Sequence, residues 1–250
     1  MIGCQKSICS LGVLWVTQSL TFFLMLPPLR AQSFEVSVKF PPTEDVDAPG
    51  STGGGGTRGG CLTGKLPLTP VVPSNNLVTT VSAHPTLFWY VPGSRTNANS
   101  ALFVLLDSQE KEIYQTKLAL TGTPGIVKLS LPKTVSLQPA HKYTWKFSVL
   151  CDRDSEQVGG YVEGAIKQTQ LNSQQKAQLA RAKDPLQQAE VYAQAGVWQE
   201  TLTLVSQLRQ NRPNDSKIVE AWNELLESVD LKAIASAPLL ECCNADNAQK

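Results

Sequence analysis

Six cysteines, two histidines and one dense run of carboxylates are the residues whose spacing decides what chemistry is open to this chain of 250 residues. Asp152, Asp154 and Glu156, with Glu163 further on, offer oxygens at the first, third, fifth and twelfth positions of a calcium loop. Gln157 stands where that loop takes glycine for its sharp turn, and strand-like sequence flanks it, so an acidic hairpin connection facing solvent is the competing reading. His84 and His141 each precede a strand-like run. Neither belongs to a helix-borne metal motif, and no G-x-S-x-G elbow is present to carry a nucleophile. Gly59 to Lys65 reproduces the spacing of a phosphate-binding loop, but Leu66 replaces the hydroxyl that would hold magnesium, and Pro67 and Pro70 block a following helix. No catalytic residue and no cofactor is assigned on these patterns.

The cysteines speak first of compartment. Lys6, an apolar run from Leu11 to Leu26, Pro27, Pro28 and then Ala31 follow the order of a secretory signal peptide, residues 1–31. The run is shorter than the ~20 residues that a membrane-spanning helix needs. Cleavage after Ala31 removes Cys4 and Cys9 and leaves Cys61, Cys151, Cys242 and Cys243. Four cysteines in an exported chain read as two disulfides with three possible connectivities. A bond between the adjacent Cys242 and Cys243 would need Cα atoms about 3.8 Å apart, below the usual window. Each is therefore expected to pair with one of Cys61 and Cys151, stapling the tail to the front of the molecule. Zinc is disfavoured because a pair with no spacer cannot wrap a tetrahedral ion.

The elements that would position these residues fall into blocks. Residues 32–60 read as a disordered Pro/Gly-rich linker, in which only Phe34, Val36, Val38 and Phe40 alternate. Over residues 61–170 the period is two. Leu77 to Ser82, Thr86 to Val91, Ala101 to Leu106, Glu112 to Leu120, Ile126 to Leu131, Lys142 to Cys151 and Tyr161 to Thr169 are short runs separated by turn residues. The pattern predicts an immunoglobulin-like or fibronectin-like antiparallel β-sandwich, with Ala101 to Leu106 central because it has no polar face. Trp145 falls on an apolar face. The run Phe88-Trp89-Tyr90 would serve as a sugar platform if its outer face were open.

From residue 171 to 243 the period changes to 3.6, predicting a small helical bundle that makes the fold class α+β. Ser173 opens one helix; Asp184 caps a second, with Pro185 at its first position, Gln187 reaching back and Gly196 ending it. A third runs from about Val197 to Gln210. Asp215 or Ser216 starts a fourth, which buries Ile218, Trp222, Leu225 and Val229. Ala189, Tyr192, Gly196 and Pro213 have the spacing of a tetratricopeptide (TPR) hairpin, with Thr201 where a small Ala is usual. Residues 244–250 read as a disordered tail.

With 22 basic against 21 acidic residues and only 17% charged, the chain has no electrostatic footprint for nucleic acid or anionic lipid. At 42% hydrophobic it can bury a core. Gly59-Gly60-Cys61, Pro85 to Pro92, Gly125-Ile126 with Leu131-Pro132, Tyr143-Thr144-Trp145 before Cys151, Tyr192 to Trp198 and Glu241-Cys242-Cys243 together resemble the exported cyanobacterial family catalogued as domain of unknown function 928. That resemblance implies a cyanobacterial source and export, and no activity. The expectation is a non-enzymatic cell-envelope or secreted protein-interaction module, periplasmic or secreted. Its partner would be another envelope or secreted protein, with no membrane span after signal cleavage. The alternatives are a carbohydrate- or cell-wall-binding module and a hydrolase with an unrecognised site.

Overall fold

Tyr143, Trp145, Phe147 and Val149 alternate with Lys142, Thr144, Lys146 and Ser148, and a pleated strand sends such a pattern to opposite faces. The computed structural model buries the first four residues and leaves the others exposed or half-buried. It describes residues 37–43, 61–95, 100–151 and 157–240, which all lie within one compact unit, Glu35–Lys250. The strands are β1 (Leu62–Thr63), β2 (Thr69–Pro70), β3 (Leu77–Thr80), β4 (Thr86–Val91), β5 (Gly93–Ser94), β6 (Ser100–Leu106), β7 (Glu112–Ala119), β8 (Gly125–Ser130), β9 (Lys142–Leu150) and β10 (Val158–Gln168). Four helices follow, α1 (Ser173–Arg181), α2 (Pro185–Gln194), α3 (Trp198–Asn211) and α4 (Ser216–Glu227), and then a 3-10 turn, Lys232–Ile234.

One sheet has the order β3-β10-β9-β6-β7, a second β2-β4-β8, and β1 pairs with β5. The expected antiparallel pairing fails at one edge, where β3 runs parallel to β10. The two are far apart in sequence, so no hairpin turn dictates their direction. The two larger sheets are in contact through Trp89 of β4, which stacks on Phe147 of β9 at 4.3 Å and meets Trp145 edge-on at 5.8 Å. Such pairs are worth about 1 kcal/mol each beyond the area they bury. Gly164 lies in register with Trp145, and a Cβ there would overlap the indole.

The helix caps follow the sequence. Asp184 accepts from the N–H groups of Leu186 and Gln187, Pro185 is the first helical residue, and the Gln187 side chain accepts from Lys183 N–H at 2.8 Å. Asp215 caps α4. Asn172, one residue before the expected Ser173, caps α1 in a reciprocal box with Gln175. Sheets and helices contribute to a single buried cluster.

Two further expectations are corrected. Residues 37–43 lie in the stretch read as a linker, yet Val38 and Phe40 are buried. Phe40 meets Trp198 edge-on at 5.1 Å, and its N–H donates to Ser228 Oγ at 3.0 Å. Phe40 finds apolar helix surface to cover at Trp198, and that surface lies far along the chain. Secondly, Cys61 is bonded to Cys151, with Cα atoms 5.4 Å apart, and neither pairs with Cys242 or Cys243. The pairing arises because β1 is held on β5 beside the end of β9: the Cys61 carbonyl accepts from Arg95 N–H at 2.8 Å and from Ser94 Oγ at 3.1 Å. Gly159 leaves room for both sulfurs. Cys242 and Cys243 lie outside the described residues, as do the stretches 1–36 and 44–60 that hold the expected signal peptide and most of the expected linker.

After the 3-10 turn the chain returns to β8. Ile126 N–H donates to Pro238 O and Leu240 N–H to Ile126 O, each at 2.8 Å, so residues 238–240 extend the smaller sheet in parallel.

Candidate functional site

The first turn of α3 is riveted to the end of β3. Thr79 Oγ1 donates to Gly196 O at 2.5 Å and accepts from Trp198 N–H at 3.1 Å. Two residues on, Glu200 Oε1 accepts from Thr80 Oγ1 at 2.7 Å, Val81 N–H at 3.1 Å and Ser82 N–H at 3.0 Å. Burial pushes the Glu200 carboxyl above the ordinary carboxylate range, while these donors pull it back. The attachment holds β3 and its following loop beside the helices.

A cleft of about 290 Å³ opens there. His84 and Thr86 stand on the sheet side, and Tyr192 of α2 with Gln199, Thr203 and Gln207 of α3 on the helix side. Residues four apart share a helix face, so α3 presents an amide, a hydroxyl and a second amide in line. Glu200 also lines the cleft, and among the described residues no Lys or Arg does. Two polar atoms are left over. Gln199 is only 2% exposed, yet its Nε2 has no hydrogen-bond partner, and the same holds for Glu200 Oε2. Burial raises the Tyr192 hydroxyl pKa, and the Glu200 charge adds to the effect.

Of the residues singled out by sequence, His84 and Tyr192 reach this cleft. His84 Nδ1 lies 2.9 Å from Val135 O. A carbonyl only accepts, so Nδ1 carries a proton, and in a neutral ring Nε2 is then the acceptor, 3.4 Å from Ser136 Oγ. A base beside a hydroxyl is one part of acyl-transfer chemistry; an oxyanion hole is another. The N–H groups of His84, Val135, Leu137 and Gln138 are already given to Ser82 Oγ, Pro132 O, Ala83 O and Tyr143 Oη, so none of them can serve as one. The contact reads as a brace for the turn. His141 is exposed, with Nδ1 3.1 Å from Pro139 O. It lines a second concavity of about 500 Å³ together with Asp107, whose Oδ1 accepts from Gln109 and Lys111 N–H as a turn cap.

Of the calcium candidates, Asp152, Asp154 and Glu156 lie outside the described residues. Glu163 sits within β10 in register with Lys146 of β9. Among the described residues no group of three or more His, Cys, Asp or Glu could hold a metal. Lys65 lies between β1 and β2 and starts no helix. The run proposed as a sugar platform is buried, Phe88 to 3% exposure, Trp89 to 1% and Tyr90 to 8%, and so cannot be one.

Sequence reading missed Gln199 and Glu200, and noticed Tyr192 only for its helical spacing. The available signal was Gln199 three residues before Leu202, a polar side chain on the apolar stripe of α3.

Fold and site define an α+β protein in which sheets and helices share one core and meet at a polar cleft that the Glu200 carboxyl lines. The model of the Domain of Unknown Function family DUF928 matches residues 53–239, and the chain belongs to that family. No curated protein matches it. Among the described residues no helix is long and apolar enough to cross a membrane.

Proposed function

We propose that the chain is a non-enzymatic interaction module of the cell envelope or the secreted fraction, with the cleft between the Ser82–Thr86 loop and helices α2 and α3 as its recognition site. In this reading residues 1–31 are a signal peptide, the source is cyanobacterial and the partner is another envelope or secreted protein. The facing sheets form an immunoglobulin-like sandwich, and α2 with α3 a TPR-like hairpin whose open side faces the sheet loop. The observation that carries the reading is the cleft itself, about 290 Å³, in which Gln199, Thr203 and Gln207 stand in line on α3 across from His84 and Thr86.

The test is photo-crosslinking in intact cells from a benzoylphenylalanine placed at position 207, on the exposed rim. A discrete protein adduct that disappears when Thr203→Arg fills the cleft is the expected result. Absence of any adduct from position 207 would defeat the reading.

A carbohydrate- or cell-wall-binding module is the second reading, favoured by the hydroxyl and amide character of the walls. A glycan array probed with wild type and Thr203→Arg decides it: a hit lost in the variant transfers the cleft to sugars.

A further inference from the structure

Strand β6 is apolar on both faces, and the core takes only one of them. Ala101, Phe103 and Leu105 are fully buried and belong to the core cluster. Alternate side chains of a strand go to opposite faces, so Leu102, Val104 and Leu106 point the other way. They are half-buried and lie outside that cluster. The smaller sheet packs on the inner face through Trp89, and helix α3 meets the sheets at β3 and β4. An antiparallel sheet with one face in water alternates apolar and polar residues, as β9 does. β6 does not, although it lies between β9 and β7 in the middle of the layer. An apolar stripe on an outer face marks a contact surface.

The neighbours of the stripe say what kind of partner fits. Leu102 stands in register between Lys117 and Ser148, and Val104 between Gln115 and Lys146, so a lysine borders the stripe on each side. Beyond Leu106, Lys142 and Lys167 are directly opposite each other on β9 and β10. Like charges so placed repel, and a negatively charged partner relieves them. All four lysines are exposed, and they outnumber the carboxylates of these strands, Glu163 opposite Lys146 and Glu112 opposite Leu106. A second copy of the chain would set lysine against lysine. A bilayer takes bulky side chains that stand clear of the surface, whereas these three are half-buried. The stripe is about 13 Å long at ~3.3 Å per residue, and the strip between β7 and β9 is about 10 Å wide at ~4.8 Å per strand. One α-helix is about 10 Å across, and about nine residues of it span that length.

We propose that the outer face of the five-stranded sheet docks an acidic amphipathic helix of another protein. The apolar side of the helix lies on Leu102, Val104 and Leu106, and carboxylates on its two flanks meet Lys117 on one side and Lys146 with the Lys142 and Lys167 pair on the other. This surface shares no residue with the cleft.

The experiment titrates the full chain, labelled with 15N, with an amphipathic peptide of about twelve residues that carries leucines on one face and glutamates on both flanks. The same peptide with lysine at each glutamate, and vesicles of phosphatidylglycerol and phosphatidylcholine, are titrated separately. The glutamate peptide should move the backbone resonances of residues 102–106 and of Lys146 saturably, and added salt should weaken it. The lysine peptide should bind about tenfold more weakly. Lys146→Glu changes an exposed side chain, so it should keep the fold while affinity for the glutamate peptide falls by about tenfold. Val104→Thr, which keeps the β-branched shape and replaces a methyl by a hydroxyl, should weaken the peptide as well. Equal binding of the two peptides, shifts of these resonances by vesicles alone, or a concentration-dependent dimer that shifts them would overturn the acidic-helix assignment. Silence from the glutamate peptide would overturn it too. The cleft is judged apart from all of these outcomes, by the position 207 adduct.

Discussion

Glu200 puts a carboxylate where water barely reaches, and the consequence is a pH dependence whose sign follows from burial. Its folded-state pKa is raised above the ordinary 4.5 by desolvation. Relative to the unfolded chain, the carboxyl therefore favours the folded state while protonated, and that advantage is lost as pH rises through the raised value. Glu200→Gln cannot ionise. In urea unfolding from about pH 4 upward, the stability of wild type relative to Glu200→Gln should fall as pH increases. A difference that stays constant across the range would refute the assignment. Sequence could not single this residue out, because its partners Thr80 to Ser82 lie some 120 positions earlier and a polar residue at the start of a helix looks like any solvated one. His84 and His141 were visible by type, but type alone does not separate a base from a turn brace; the carbonyl partners of Nδ1 do.

Among elements, what was legible is what repeats locally. Seven strands fall close to where period-two runs place them, and α2 begins where Asp184 and Pro185 say it should. Asp184→Ala should cost about 1 kcal/mol through loss of the cap, read from thermal or urea unfolding. The parts that escaped depend on distant surface: the two-residue strands β1, β2 and β5, the parallel edge β3 against β10, and the segment 37–43. That last segment repeats too few times to register as an element. Phe40→Ala should nevertheless destabilise the protein by about 3 kcal/mol, since it opens a hole beside Trp198 and Ser228. A change below about 0.5 kcal/mol would return the segment to the status of a loose leader.

For the whole molecule, the bond between Cys61 and Cys151 spans 90 residues, from the segment before β1 to the end of β9. Closing so long a loop removes on the order of 4 kcal/mol of unfolded-chain entropy in the usual model. Cys61→Ser should lower the urea midpoint of the oxidised protein accordingly. Peptide mapping without reductant should recover Cys61 joined to Cys151; recovery of Cys61 joined to Cys242 or Cys243 would restore the stapled-tail arrangement that counting cysteines suggested. Counting could not choose, because connectivity depends on which strand ends meet, and that is a property of the folded sheets. The far end of the chain has a bearing on handling. By lying along β8, residues 238–240 occupy backbone groups of Ile126 that would otherwise face outward, and Leu240 fills the notch left by Gly122 and Gly125. The protein thus carries its own guard against edge-to-edge aggregation, and proteolytic trimming upstream of Pro238 would expose a sticky strand and lower solubility before it affected the cleft.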